Sequence, residues 1–503
     1  MLQQTDFAER SLGDRVREGV AWSAASLAIT YLTGLARSVV MARLLAPEDF
    51  GLFGMAITVL VAAGAVSQIG LDMSLIVNRF SDDEELSTHL NTVWTTEVVR
   101  KCLLTLLLVA LVYPTTKFYG DERLFQILLF VSLTPLVQGF QNIGLLILRK
   151  QVSFKKLVWF EQTSNVLSTL LAIGLAYWTR SVWALVLTQL LSALISVLLS
   201  YAFHTYRPRF EFDREVFNRA FEFGKFVFVI SVAGYVTTMV DNVLVGRLLG
   251  AAALGIYVLA YNLASLPIGI IGGVLGSVSL SAYSELGSRA SQQLGGAFER
   301  VLTISSAILI IMVVPVVILA DELISLLYGT KWAGAAPVLR VLMLVAFCRG
   351  LLQVVAPLLI SVKGPRPEAT AKMWEAIIFV ILLYPMTVNY GLRGAAWVGS
   401  FVYTITLINR FRLLREFTPA AAVRLPRIIG STLFAGATGI GTGAFALMFV
   451  EGTIVRLAVG GLISTSVTAL VLLLLLPILR SELIQTLTYA YPRVATVESP
   501  SNS

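Results

Sequence analysis

Charge is scarce in this sequence, and so are histidine and cysteine: only 14% of the 503 residues are Asp, Glu, Lys or Arg, with two histidines and two cysteines. Each shortage excludes something. So few charges cannot coat a soluble globule of this size. Cys102 and Cys348 both lie inside apolar runs, which argues against a disulfide framework and for small buried hydrophobes. His89 and His204 sit far apart near loop ends, so interfacial roles are expected rather than a zinc site or proton relay. No GxxxxGK[ST] loop occurs, and the stretches between apolar runs leave no room for a soluble catalytic or nucleotide-binding domain. No cofactor is expected.

What is present is apolar length. The chain is 57% hydrophobic, with a mean hydropathy of +0.81. A bilayer core about 30 Å thick needs about 20 apolar residues per spanning helix, because a helix rises about 1.5 Å per residue. Runs of that kind predict an all-α integral membrane protein of about fourteen transmembrane helices, from 20–45 to 454–479. The net charge of +8 belongs to short loops rather than to a nucleic-acid-binding face. With loops assigned alternately to two sides, one side holds clusters such as Arg149, Lys150, Lys155 and Lys156, Arg207, Arg209 and Arg214, and Arg410, Arg412 and Arg415. The other holds mostly single residues, among them Arg43, Arg180, Arg247 and Arg393. This bias places both termini in the cytoplasm. The charged first residues, without a small-residue cleavage site after the first span, do not read as a removable signal peptide.

The sequence also repeats itself. Arg43-Leu44-Leu45-Ala46 followed by Gly51 returns as Arg247-Leu248-Leu249-Gly250 followed by Gly255, at an offset of 204. Glu161 and Trp183 correspond to Glu375 and Trp397 at an offset of 214. Six spans per half bring the chain back to the same face. The expected architecture is therefore two parallel six-helix lobes, pseudo-twofold along the membrane normal: 1–213 and 214–420, with a terminal helix pair and short tail in 421–503. Repeats of this kind are a transporter signature, with the substrate path between them.

The segment from Met41 to Leu52, in which a long first helix ends in ARLLAPEDFGL, resembles the polysaccharide transporter or oligosaccharide flippase family (Wzx/WzxC-like) of the multidrug/oligosaccharidyl-lipid/polysaccharide exporter superfamily. Val245 to Pro267, VGRLLGAAALGIYVLAYNLASLP, is similar to the same family's second-half signature. The resemblance spans nearly the whole chain. It implies an inner-membrane, alternating-access flippase that carries polyprenyl-diphosphate-linked oligosaccharide repeat units to the outer leaflet. Membrane lipids, a polysaccharide polymerase and export machinery, and a coupling ion, H+ or Na+, are the implied partners; nucleic acid is not. The motif specifies packing and topology rather than the identity of the sugar.

Against that background, the deep polar residues are the candidate cargo contacts, since a charge at the bilayer centre costs about 2.5–3.5 kcal/mol on insertion scales. In the first span Ser23, Ser26, Thr30, Thr33 and Arg37 fall on one helical face. They suit a cavity wall, or equally hydroxyls packed against a neighbour with a snorkelling arginine. Ser231, Gly234, Thr238 and Asp241 repeat the pattern in the seventh span, and Asp241 stands opposite Arg37 at the repeat offset, which invites a cross-lobe pair. Arg349, with Gln353 one turn later, is the deepest charge; it binds a diphosphate or pairs with Glu375 or Asp241. Glu161, Asn165 and Ser168 share a face of the fifth span, while Glu97 and Lys101 stand four apart on the third, beside Arg100. Gly439 and Gly443 form a GxxxG pair expected to pack closely in the thirteenth.

Three other readings compete. A cation-coupled drug exporter of the same superfamily would favour intramembrane carboxylates, and a peptidoglycan-precursor flippase shares the arginines and the helix count. A membrane-embedded sugar or acyl transferase has only the acidic run Asp82 to Glu85 as candidate chemistry, and such a run reads as a solvated helix start.

Overall fold

The computed structural model describes residues 12–68, 83–150, 154–273, 291–415 and 419–481. Ser23's side chain, Asp82 and the tail after 481 lie outside the described residues. All regular elements among them are helices: α1 Leu12–Leu44, α2 Pro47–Ser67, α3 Asp83–Tyr119, α4 Arg123–Gly139, α5 Gly144–Lys150, α6 Phe154–Thr179 and α7 Trp183–Phe203. There follow α8 Arg214–Ile271, α9 Ser291–Ile318, α10 Ala320–Leu327, a 3-10 turn Thr330–Trp332, α11 Ala335–Lys363, α12 Pro365–Arg415, α13 Pro419–Leu447 and α14 Thr453–Leu475.

Ten of these helices are long and apolar enough to cross a membrane. Two of the ten are double. Gly250, at φ 83°, breaks α8, and Gly391, at φ 59°, breaks α12; both angles are left-handed and favour glycine. These breaks fall between the expected spans 223–246 and 252–282, and between 370–390 and 394–412. The shorter apolar α4 and the 26-residue α6 correspond to the expected fourth and fifth spans. The acidic run does open a helix, α3, whose Glu84 and Glu85 are exposed.

The chain forms two compact units, 1–266 with 323–345 and 366–406, and 267–322 with 346–365 and 407–503. In the first, α1 packs on α6, α3 on α4, and α7 on both α4 and α6. In the second, α9, α13 and α14 pack mutually. There the glycine pair acts as expected for close packing: a Cβ at Gly439 would strike the Thr468 hydroxyl, and one at Gly443 would press on Ile318 and Ser464.

Nearly every residue of the ARLLAPEDFGL motif has a structural task within the first unit. Arg43 donates from Nε to the Leu327 carbonyl at 2.9 Å and from its terminal nitrogen to that of Leu326, satisfying the last carbonyls of α10. The favour is returned. Lys331 Nζ donates to the Arg43 and Leu45 carbonyls at 2.9 and 2.6 Å, and Trp332 Nε1 to the Ala42 carbonyl at 2.8 Å, so the ends of α1 and α10 are capped reciprocally. Pro47 occupies the first helical position of α2, where no backbone N–H is needed. Asp49 accepts the Ala46 N–H at 2.9 Å; this is the back half of a capping box, since Ala46 has no oxygen with which to reciprocate. Glu48 pairs with Arg123 at 2.7 Å, and Phe50 meets the Trp332 ring edge-on with centroids 5.1 Å apart. Gly51 lets the Ala251 carbonyl approach, and Gly255 does the same for the Pro47 carbonyl. Residues 47 and 51 become 251 and 255 under the repeat offset, so the crossing exchanges equivalent residues, as a local twofold requires.

Candidate functional site

A ladder of side-chain hydrogen bonds joins α1 to α6. Gln162 Nε2 donates to Ser26 Oγ at 2.8 Å and to Thr30 Oγ1 at 2.9 Å, and Asn165 Nδ2 donates to Thr33 Oγ1 at 2.7 Å. The rungs climb in the same direction on both helices, so α1 and α6 run parallel, as a first and a fifth span must. The polar stripe of α1 thus spends its hydroxyls on a neighbouring helix. Arg37, four residues beyond Thr33, stands where the next rung would be.

There the helices part around a pocket of about 340 Å³. From α1 comes Arg37, and from α6 come Phe160, Glu161, Ser164, Asn165 and Ser168. From α7 come Thr188, Gln189, Ser192 and Ser196, the hydroxyls being spaced one helical turn apart. Arg37 is half-buried and has neither a hydrogen bond nor an ion pair to any described residue. Glu161 reaches the same pocket. Of the α7 hydroxyls, Thr188 donates to its own Ala184 carbonyl at 2.6 Å and Ser196 accepts from Gln141 at 3.2 Å. Ser192 Oγ is buried with no partner.

The remaining candidates sit elsewhere. Asp241 is buried and accepts from the Tyr257 hydroxyl at 2.8 Å and from the Asn242 N–H at 2.9 Å. It makes no ion pair with Arg37 in this structure. Ser231 and Thr238 line a second pocket, of about 310 Å³, with Tyr235 and with Gln68, the residue that follows α2. Arg100 forks onto Glu97 and reaches Ser67 Oγ at 2.8 Å at the end of α2. Glu97 therefore has Arg100 as its partner at i+3, while Lys101 donates to Gln138 at 3.4 Å. Arg349 is half-buried in α11 and Glu375 buried in α12, and both are already engaged within the fold. His204 accepts the Tyr206 N–H at 3.0 Å, and burial together with Lys156 and Arg207 lowers its pKa.

Gln162, Gln189 and the α7 hydroxyls are not among the residues singled out by charge or by the repeat. The four-residue spacing of Thr188, Ser192 and Ser196 in an otherwise apolar span was the available signal.

Comparison with known proteins adds four findings. A family model described as polysaccharide biosynthesis protein matches residues 40–355. The succinoglycan biosynthesis transport protein ExoT of Rhizobium meliloti is 24% identical over 79% of this chain and 78% of its own length. The lipopolysaccharide biosynthesis protein WzxC of Escherichia coli is 25% identical over 79% of this chain and 80% of its own. Among solved structures, the lipid II flippase MurJ in an inward closed conformation superposes with a TM-score of 0.72 at 16% identity, covering 92% of this chain and 99% of that one. That likeness establishes the fold and, at such identity, nothing finer.

Proposed function

Since the chain belongs to the polysaccharide biosynthesis protein family, we propose that it flips polyprenyl-diphosphate-linked oligosaccharide repeat units from the cytoplasmic to the outer leaflet of the inner membrane. It supplies capsule, exopolysaccharide or O-antigen-type synthesis by alternating access between lobes 1–213 and 214–420, both termini being cytoplasmic. A polymerase on the far side consumes the delivered units.

The observation that carries this reading is Arg37. A guanidinium within an apolar span, lining a pocket and lacking a partner among the described residues, stands ready for an anion brought from outside the protein. A diphosphate fits, because guanidinium stays ionised and binds phosphate oxygens in pairs. Glu161 shares the pocket and is itself already engaged within the fold. An inside-negative potential of 100 mV favours outward movement of each uncompensated negative charge by about 2.3 kcal/mol. A co-transported H+ or Na+ would offset part of that drive.

Deleting the gene should abolish the exported polymer and leave lipid-linked units on the cytoplasmic leaflet. Arg37→Gln should insert at wild-type level and lose export about ten- to hundredfold, the scale of charge-assisted hydrogen bonds; Arg37→Lys should keep part of it. A deletion strain that never makes the lipid-linked unit would shift the assignment to a transferase, and full export by Arg37→Gln would remove Arg37 from the cargo site.

A further inference from the structure

Beyond Arg37 and Glu161, the pocket between α1, α6 and α7 is lined almost wholly by neutral hydrogen-bonding groups, and most of these are unused. Ser164 and Ser168 on α6 and Gln189 on α7 have no hydrogen bond to any described residue, and the Ser192 hydroxyl is buried without a partner. A polar group shut away unpaired is costly, and within a membrane span water does not compensate for it as it would at a surface. The Ser192 hydroxyl carries that cost outright, and the half-buried Ser164 and Gln189 and the Ser168 hydroxyl stand beside it with their hydrogen-bonding capacity unspent, so one ligand can engage all four.

The chemistry of these groups narrows the ligand. A cation would call for several carboxylates or converging carbonyls, and the one carboxylate here, Glu161, is already engaged within the fold. A second anion would call for more than one positive charge. Hydroxyls and amides each both donate and accept, which matches a ligand whose own groups do both. Phe160 adds one apolar ring wall. A volume of about 340 Å³ lies near the lower end of the small-ligand range, enough for a ring or two and too small for an oligosaccharide.

We infer that this pocket is a carbohydrate subsite: Ser164, Ser168, Gln189 and Ser192 hydrogen-bond the hydroxyls of a single neutral sugar ring, while Arg37 beside them holds the attached phosphate. The inference rests on the flippase reading and deepens it, because it places sugar discrimination within the first helical unit. Gln162 and Asn165 are positioning residues, since their bonds to α1 fix the rotation that brings Arg37 to the pocket.

The test uses the purified full chain in nanodiscs and two kinds of probe: polyprenyl diphosphate, and the same lipid carrying one glucose, galactose or N-acetylglucosamine. At least one sugar-bearing probe should bind about tenfold or more tighter than the bare lipid. Ser192→Ala should cut that excess about three- to tenfold, one hydrogen bond's worth, without lowering thermal stability, because the hydroxyl it removes has no protein partner. Gln189→Leu should cut it too, and Arg37→Gln should weaken bare and sugar-bearing lipids alike. Equal binding of bare and sugar-bearing lipid by the wild type overturns the subsite and leaves the flippase reading standing. So does an equal loss for both probes in Ser192→Ala and Gln189→Leu. Failure to bind any of the lipids overturns both.

Discussion

Arg37 and Arg349 are both half-buried arginines on apolar helices, but one has no protein partner among the described residues and the other is already engaged. Removing the charge should therefore separate them. Arg349→Gln strands whatever it now holds and should lower the amount of protein in the membrane, whereas Arg37→Gln should lower export alone; immunoblots read beside polymer yield distinguish the two. His204 offers a pH test outside the spans. Its folded-state pKa is depressed, so the unfolded chain binds the proton more readily. The stability contributed is present above the unfolded value of about 6.5 and is lost as pH falls through the lower folded value. Protonation also removes the acceptor used by the Tyr206 N–H. Thermal midpoints of the wild type should drop between pH 7.5 and 5.5 more than those of His204→Asn, and equal slopes would dismiss the group.

At the level of elements, the helices and their breaks were legible because apolar length and glycine placement are local properties. Gly250 and Gly391 interrupt their helices between the spans the sequence predicts. The polar face of α1 was legible too, since spacing fixes which residues share a side; what faces that side is a tertiary fact. Ser26, Thr30 and Thr33 are rungs to Gln162 and Asn165, and of the four only Arg37 lines the pocket. The α7 hydroxyls were overlooked for a physical reason: in apolar spans such groups usually bond their own backbone, as Thr188 does, and sequence does not reveal that Ser192 departs from the habit. The glycine crossing gives the element-scale prediction. Gly51→Ala and Gly255→Ala each place a methyl group on a carbonyl of the opposing helix start, and backbone cannot yield as a side chain can. Each should cost about 1–3 kcal/mol or more and reduce membrane-inserted protein. Gly64→Ala, with open space around it, should have little effect in the same measurement.

For the whole molecule, the constant offset of 204 and the reciprocal crossing of Pro47 and Gly51 with Ala251 and Gly255 carry a consequence for topology. Equivalent residues that touch across a local twofold lie at the same depth. Six spans separate them, an even number, so both motif turns must open on the same side of the membrane. On the proposed topology that side is the exterior, since the turns carry single arginines while the segment holding Arg207, Arg209 and Arg214 is basic. A chain with Cys102 and Cys348 replaced by serine allows a direct reading. Glu48 and Ala252 are exposed beside the two motif turns, and Arg207 is exposed between α7 and α8. Glu48→Cys and Ala252→Cys should both react with a membrane-impermeant maleimide in intact cells, and Arg207→Cys only after permeabilisation. Labelling of Glu48→Cys without Ala252→Cys would break the parallel repeat, since no parallel arrangement puts the two turns on opposite faces. Labelling of Arg207→Cys in intact cells would keep the repeat and invert the protein, moving both termini outside, against the charge bias.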